Sequence, residues 1–162
     1  MLLRSEAAGD LAAIRALLRT AFPTAVEADL VERLRADGDL AYSLVAVEGE
    51  ALLGHVALSP MAAAFPALGL APVAVAALAR RQGVAAALIR RALDEAGAAG
   101  WRAAFVLGDP AYDARFGFTA AAAAPFASPY AGPYLMARGL GGREMPEGPG
   151  RVDYAPAFAA LG

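Results

Sequence analysis

The stretch from residue 79 to residue 93, ARRQGVAAALIRRAL, places two arginines, a glutamine and a glycine directly before a helix-like run. The first turn of a helix leaves backbone N–H groups unpaired and carries the positive end of the helix dipole, so it favours a bound anion. Gly83 would let a ligand approach the backbone closely, and Arg80 and Arg81 add positive charge. These residues predict a site for phosphate groups; the alternative is an ordinary turn beside solvated arginines.

The glycine pattern of this turn does not match two common nucleotide loops. It has no Gly-Lys-Ser or Gly-Lys-Thr, as a Walker loop requires, and no G-x-G-x-x-G, as a dinucleotide-binding loop requires. The turn therefore predicts a phosphate-bearing ligand of another kind.

Cysteine and histidine, two residue types common in catalytic and metal sites, are nearly absent from the sequence. The chain has no cysteine, which excludes disulfides, thiolate metal sites and a cysteine nucleophile, and we expect no metal. Its one histidine, His55, lies in an apolar strand pattern, which is more typical of a core or wall residue than of a base.

Composition and charge exclude several classes of protein. A net charge of −2 with scattered arginines argues against nucleic acid as a partner. The uncharged stretch from Val56 to Ala79 is long enough to span a bilayer, but three prolines and a glycine interrupt it, so we expect no membrane span. The N-terminal residues lack the layout of a signal peptide, which predicts a cytoplasmic protein.

Two helices are predicted near the N-terminus. Asp10 can cap a helix whose apolar stripe includes Leu11, Ile14 and Leu18. A second helix follows Thr24-Ala-Val-Glu27, which has the spacing of a capping box, and ends at Gly38.

The strands predict a mixed sheet. Residues 40–47 and 51–58 flank the turn Glu48-Gly-Glu50 and read as a hairpin, and a third strand runs from Leu68 to Val75. A helix that ends at Gly97 and Gly100 and a buried strand over residues 102–107 follow, and another strand spans residues 134–140. A strand-helix-strand crossover is parallel and a hairpin is antiparallel, so we expect an α/β fold with a mixed, mostly antiparallel sheet flanked by helices.

The turn RRQGVA at residues 80–85 resembles the R/Q-x-x-G-x-G/A pyrophosphate loop of the GNAT N-acetyltransferase superfamily. The stretch LGDPAYDARFGF at residues 107–118, together with Gly54-His-Val56 and Ser59-Pro60, is similar to a bacterial subgroup of predicted N-acetyltransferases whose usual form is GDPxYYxRFGF. The order of elements agrees from about Leu2 to Leu140. We therefore expect one GNAT-like domain over residues 1–162, with a proline- and glycine-rich tail.

The resemblance implies acetyl-CoA as donor and an amine as acceptor. Backbone groups of the strand before the turn would hold the pantetheine arm and polarise the thioester carbonyl, and backbone N–H groups of the turn would hold the pyrophosphate. The cofactor-binding residues it implies are Val73, Ala74, Val75, Arg80, Arg81, Gln82, Gly83, Val84 and Ala85.

The position of the superfamily's general acid departs from the usual pattern. A tyrosine often stands five residues before the last Phe of the Gly-Phe motif, but that position here is Asp113, and Tyr112 precedes it. One residue on a helix is a rotation of about 100°. Tyr112 is the candidate acid, the alternative being a packing or acceptor-wall role, and a short local helix would bring it back into reach.

No general base stands out, because the strand from Ala67 to Val75 contains no carboxylate. Candidate acceptor contacts are Glu27, His55 and Asp109. Each has a simpler explanation: Glu27 completes the capping box, His55 is a satisfied core residue, and Asp109 ends a strand and caps the next turn.

We predict direct attack of an amine on the bound thioester, since no cysteine or nucleophile pair supports an acetyl-enzyme. One alternative is an acyl-CoA-binding or sensing domain that catalyses nothing, and another is an interaction module that binds no cofactor. The acceptor would be a small molecule or a peptide, and because dimers are common in this superfamily the resemblance allows a homodimer.

Overall fold

The computed structural model describes residues 1–161, so the last residue of the predicted domain, Gly162, lies outside the described residues. By contacts within the chain, the residues fall into two compact units. The first unit comprises residues 1–58, 71–92 and the segment from 156, and the second comprises residues 59–70 and 93–155. The prediction of one domain over the whole chain stays a prediction.

The strands form one larger sheet and one small one. In chain order they are β1 (Leu2–Ser5), β2 (Tyr42–Glu48), β3 (Ala51–Pro60), β4 (Ala67–Val75), β5 (Ala103–Leu107), β6 (Phe126–Ala127), β7 (Leu135–Gly139) and β8 (Gly150–Arg151). The larger sheet has six strands in the order β1-β2-β3-β4-β5-β7, and β6 pairs with β8. The β1–β2, β2–β3 and β5–β7 pairs are antiparallel and the β4–β5 pair is parallel. The predicted mixed, mostly antiparallel sheet is confirmed.

The hairpin of β2 and β3 carries the central polar residues of the first unit. Glu48 pairs with Ala51 across a two-residue turn in which Gly49 has φ 60°, the conformation that such tight hairpins require. Further along, Val45 lies opposite His55. The predicted hairpin is confirmed, whereas β1 on its outer edge was not predicted, because LLRS is too short to show a period.

Helices α1 (Leu11–Ala21) and α2 (Val26–Asp37) belong to the first unit. Gly38 ends α2 with φ 76°, which confirms the predicted stop. The helices pack with the sheet in a cluster, called here the α1/α2 cluster, whose buried members are Ile14, Leu17, Leu18, Ala28, Val31, Val45 and Ala74. Burial of these aliphatic side chains is the main force that holds the helices on the sheet.

The predicted caps of both helices are wrong. Asp10 precedes α1 but makes no cap hydrogen bond to it; its carboxylate accepts the N–H of Ala7 at 2.7 Å and pairs with Arg4 at 2.6 Å. Residue Ala25, not Thr24, occupies the N-cap position of α2, and Thr24 Oγ accepts the N–H of Val26 at 3.3 Å. A threonine hydroxyl can close a local turn instead of capping a helix, which removes the capping role of Glu27.

Helix α3 (Val84–Ala98) connects β4 to β5. Contrary to the prediction, Gly97 lies inside α3 and only Gly100, with φ 100°, follows its end. A Cβ at Gly97 would lie 2.5 Å from the backbone nitrogen of Gly141, so the glycine is there for close packing.

The second unit has its own core beneath β4, β5 and β7. The parallel register joins Ala67–Gly69 to Ala103–Phe105. Phe105 and Phe126 meet edge to face with ring centroids 5.9 Å apart. Short helices α4 (Pro110–Asp113) and α5 (Ala120–Ala123) complete this unit.

Helices in the described part of the chain are all too short or too polar to cross a bilayer. Within residues 1–161 no group of three or more His, Cys, Asp or Glu side chains could hold a metal ion, and the absence of a metal site stays a prediction.

Candidate functional site

The turn that precedes α3 has an unusual backbone. Arg81 has φ 64° and Gly83 has φ 78°, and Arg81 is the only residue other than glycine with positive φ in the described chain. The left-handed conformation costs an ordinary residue about 1–2 kcal/mol relative to right-handed backbone. Strain of this kind persists where the surrounding structure requires it, and it is often found at ligand sites.

The turn leaves backbone donors available to an anion. The N–H of Ala87 donates to the carbonyl of Gly83 at 3.0 Å, which begins the helical pattern, so the N–H groups of Val84 and Ala85 precede it. Left-handed residues next to a helix start can turn successive N–H groups toward one point, where they form an anion-binding concavity. A Cβ built at Gly83 would meet no atom within 4 Å, so the space beside it is open. Arg80, Arg81 and Gln82 are all exposed around this opening.

A glycine on β3 sets the position of α3. A Cβ at Gly54 would lie 2.7 Å from Val84 Cγ1, closer than real Cβ contacts allow, and 3.0 Å from Leu88 Cδ1, which is tighter than most. It would also lie 3.2 Å from the carbonyl oxygen of Ala74 on β4. Gly54 therefore lets the first turns of α3 lie directly on the sheet, a function that the sequence reading of Gly54-His-Val56 did not find.

The predicted pantetheine strand, Val73–Val75, forms the end of β4 in the first unit. Ala74 is buried in the α1/α2 cluster, while Val73 and Val75 are half-buried on the other side of the strand. The strand end is anchored because the N–H of Ala76 donates to the carbonyl of Leu53 at 2.8 Å. The structure thus brings the predicted strand and turn into one unit, and their contact with a cofactor stays a prediction.

Replacing Arg81 by glycine should weaken the binding of acetyl-CoA without lowering the stability of the folded protein. In R81G the left-handed backbone is no longer strained, so we expect the free energy of unfolding to stay equal or rise by up to about 1 kcal/mol. Affinity for acetyl-CoA should fall severalfold, because a guanidinium is lost beside the proposed phosphates. Denaturant unfolding and calorimetric titration with acetyl-CoA measure the two effects. R81K is the control, since it keeps both charge and strain; equal affinity of R81G and wild type would contradict the role of Arg81.

A chain of hydrogen-bonded polar side chains in the first unit is partly exposed at Arg35 and Glu6 and buried at Ser43 and His55. Arg35 on α2 holds Glu6 through two hydrogen bonds of 2.9 and 2.8 Å. Glu6 is also bonded to Ser43 on β2, and Ser43 Oγ lies 2.8 Å from Nε2 of His55 on β3. His55 is fully buried and Ser43 is 8% exposed. Of these residues only His55 was predicted as a site residue.

The positions of the protons follow from the chemistry of these hydrogen-bonded side chains. Burial raises the pKa of Glu6, but the hydrogen bonds from Arg35 and Ser43 outweigh it and leave the pKa below its usual value. An ionised carboxylate can only accept, so Ser43 donates its one hydroxyl proton to Glu6 and accepts from Nε2–H of His55. The lone pair of His55 is therefore on Nδ1, which is buried and has no hydrogen-bond partner. Burial, the largest effect, lowers the pKa of His55 to about 4, so the ring is neutral at neutral pH.

Glu27 has no capping role in the structure. The side chain lies in the first turn of α2, and Oε1 is buried without a hydrogen-bond partner. The simpler explanation given by the capping box is therefore wrong, and Glu27 remains a candidate contact.

The remaining predicted residues lie in the second unit. Asp109 caps α4 as predicted, because its Oδ1 accepts the N–H of Ala111 at 3.0 Å. Tyr112 is half-buried on that four-residue helix, which is as short as expected. Its ring meets Phe116 edge to face at 5.3 Å and lies 4.5 Å from the guanidinium carbon of Arg115. Packing of the ring is thus observed, and its role as acid stays a prediction.

Asp113, at the position where the superfamily often has tyrosine, is buried, although aspartate is usually an exposed residue. It is 7% exposed, and burial followed by the charge of Asp109 raises the pKa of its carboxyl group. Oδ2 of Asp113 occupies the space that a Cβ at Gly108 would fill, which explains the glycine of the GDP stretch.

Comparison with known proteins gives consistent matches. The model of an acetyltransferase (GNAT) domain matches residues 3–121. An Escherichia coli K12 protein described as the uncharacterized N-acetyltransferase YhbS is 44% identical over 126 residues, which is 75% of this chain and 75% of that protein.

Two solved structures are also similar over nearly the whole chain. The Escherichia coli GNAT family N-acetyltransferase YhbS in complex with CoA has a TM-score of 0.92 and 36% identity, and the match covers 99% of this chain and 93% of that one. A GNAT family acetyltransferase from Brucella melitensis in complex with acetyl-CoA has a TM-score of 0.80 and 33% identity, with 97% of each chain covered.

Proposed function

Because the chain belongs to the GNAT acetyltransferase family, we propose that it transfers the acetyl group of acetyl-CoA to an amine by direct attack on the thioester. The observation that carries the proposal is the turn at residues 80–83, with Arg81 and Gly83 left-handed and the open N-terminus of α3 directly after it. Relatives with 36% and 33% identity have been solved with CoA and acetyl-CoA bound, which supports the same ligand here.

Backbone groups supply most of the proposed chemistry. N–H groups from Arg81 to Ala85 would hold the pyrophosphate, and Val73–Val75 would hold the pantetheine arm and polarise the thioester carbonyl. Attack by a neutral amine on that carbonyl forms a C–N bond and an oxyanion, which fixed N–H donors stabilise without reorganising. Collapse of the oxyanion breaks the C–S bond, the positively charged nitrogen loses a proton to water, and the CoA thiolate takes up a proton.

Tyr112 is the proposed donor of that proton. In Y112F we expect kcat to fall on the order of a hundredfold, because general-acid catalysis contributes at least that much. Steady-state release of CoA thiol with a panel of primary amines measures the effect. D113N is the neighbouring control, and a kcat in Y112F equal to wild type would assign Tyr112 to packing against Phe116 instead.

A second function, acyl-CoA binding without transfer, is favoured by Asp113 at the position where the superfamily often has tyrosine. The two functions differ in one measurement: an enzyme releases CoA thiol only when an amine is added, whereas a binding domain is stabilised by acetyl-CoA and releases none. A cytoplasmic location, the nature of the amine and a homodimer stay predictions.

A further inference from the structure

A surface pocket of about 350 Å³ in the second unit is lined by α5, β6 and the loop before β7. Six of its eight lining residues are alanine or glycine, and the other two are Phe126 and Leu135. Phe126 and Leu135 are buried, whereas Ala124, Ala131 and Gly132 are exposed. The two large side chains thus form the floor, and the small exposed residues form a rim that is open to solvent. We call this site the alanine pocket.

The lining of the alanine pocket is suited to an uncharged ligand. None of its eight lining residues, all in the described part of the chain, has a charged side chain or a side-chain hydrogen-bonding group. An apolar cavity of about 150 Å³ is large enough to bind benzene. A pocket of about 350 Å³ therefore has room for a bicyclic ring or a short alkyl chain, and it is within the usual size range of ligand pockets.

An aromatic cluster holds the floor of the pocket in place. Phe126 meets Phe65 and Phe105 edge to face, with ring centroids 5.5 and 5.9 Å apart. On its strand Phe126 pairs with Gly150, where a Cβ would lie 3.6 Å from the Phe126 ring. A floor that is already packed keeps its shape when a ligand binds, which lowers the cost of binding. The Phe126 ring also favours edge-to-face contact with a ring of the ligand.

Leu135 connects the alanine pocket to the end of β5. It pairs directly with Leu107, so both side chains are on one face of the sheet with Cβ atoms about 5 Å apart. Leu107 is 48% exposed and extends the apolar surface to the carboxyl end of β5. There the N–H of Gly108 donates to the carbonyl of Tyr134 at 3.1 Å, and the helix that carries Tyr112 follows. Open α/β sheets bind ligands at the carboxyl ends of their strands.

We propose that the alanine pocket binds an apolar side group of the acceptor, so that the protein prefers amines with an aromatic ring or an alkyl chain of about six to eight carbons. That the ligand is an acceptor rests on the proposed function, whereas its apolar character rests on the lining of the pocket. A ring that enters the pocket leaves water without separating any polar contact, so its burial favours binding.

The test replaces Ala124 at the rim by leucine. Ala124 follows α5 in helical backbone, with φ −54° and ψ −36°, so the chain accommodates leucine while the larger side chain reduces the space in the pocket. A98L is the matched control, since Ala98 is an exposed alanine at the end of α3 that does not line the pocket. Thermal unfolding without ligand should place both variants within about 2 °C of wild type, as expected for surface substitutions.

The amine panel compares tryptamine and n-hexylamine with methylamine, and release of CoA thiol is the readout. In wild type we expect the KM for the two larger amines to be at least about tenfold lower than the KM for methylamine. A124L should raise these two KM values at least about tenfold and leave the KM for methylamine and for acetyl-CoA within about threefold of wild type. A131L, which reduces the pocket from the loop, should act in the same way, and A98L should match wild type. An equal KM for tryptamine in A124L and A98L overturns the inference.

Indole, which lacks a primary amine, separates the failure of the two proposals when it is titrated by calorimetry without acetyl-CoA. If no amine releases thiol, the proposed function fails, and the role of the alanine pocket in acetyl transfer fails with it. Indole binding to wild type and A98L that is lost in A124L then supports a site for apolar ligands. Equal binding to A124L, or no binding to wild type, overturns that site as well.

Discussion

Replacing Gly83 by aspartate is expected to abolish the stabilisation of the folded protein by acetyl-CoA. Gly83 stands in open space with φ 78°, so the new side chain meets no clash and costs about 1 kcal/mol of backbone strain. Its carboxylate, however, lies at the start of α3, where the phosphates are proposed to bind. At about 100 times its dissociation constant, acetyl-CoA should stabilise the wild type by about 2.7 kcal/mol and G83D by close to zero. Thermal unfolding with acetyl-CoA, with CoA and with neither measures the difference.

G83N separates charge from conformation in this experiment. Asparagine adopts left-handed backbone about as readily as aspartate but is neutral, so G83N should keep most of the stabilisation. Equal upward shifts in G83D and wild type would show that the turn does not hold the phosphates. A wild type that neither acetyl-CoA nor CoA stabilises would favour the interaction module that binds no cofactor.

Acidification should destabilise the wild type through His55. The pKa of His55 is about 4 in the folded protein against 6.5 for a free side chain, with burial as the main cause. Between these values the unfolded chain binds a proton that the folded protein does not, so the free energy of unfolding falls as the pH falls. The window runs from pH 6.5 down to pH 4, and the loss over it is on the order of 3 kcal/mol.

H55Q isolates this contribution, because it removes the titrating group and leaves the carboxylates in place. The difference in unfolding free energy between wild type and H55Q should change with pH across the window, as measured by urea unfolding at several pH values. Glu6, whose pKa is lowered, adds a loss at still lower pH in both proteins. Parallel pH profiles of wild type and H55Q would show that His55 takes up its proton without penalty.

Apart from the mixed sheet, the features that were predicted correctly from sequence are local ones. The turn before α3, the hairpin and the cap by Asp109 each depend on residues within a few positions, where glycine, proline and aspartate have strong backbone preferences. Thr24 shows the limit even of local rules, since its hydroxyl has two competing partners and the structure uses the one that closes a turn.

The polar chain could not be predicted, because its members come from four separate parts of the sequence. Glu6 directly follows β1, Arg35 lies on α2, Ser43 on β2 and His55 on β3, and no spacing in the sequence connects them. The unsatisfied Nδ1 of His55 is likewise visible only once every neighbour is placed. Oε1 of Glu27 is buried without a hydrogen-bond partner among the described residues, and a sequence cannot show that a partner is absent.

Gly54 and His55 are adjacent on β3 and therefore face opposite sides of the sheet. The first lets α3 lie on the sheet after the proposed cofactor turn, and the second is buried on the opposite face, where it contacts Ser43. The alignment of β3 with β2 at these residues depends on the two-residue turn at Gly49 and Glu50 and on the irregular pairing between Ala46 and Val47. A shift of one residue in this register would exchange the faces of Gly54 and His55, so a single shift would remove both the space for α3 and the contact of His55 with Ser43.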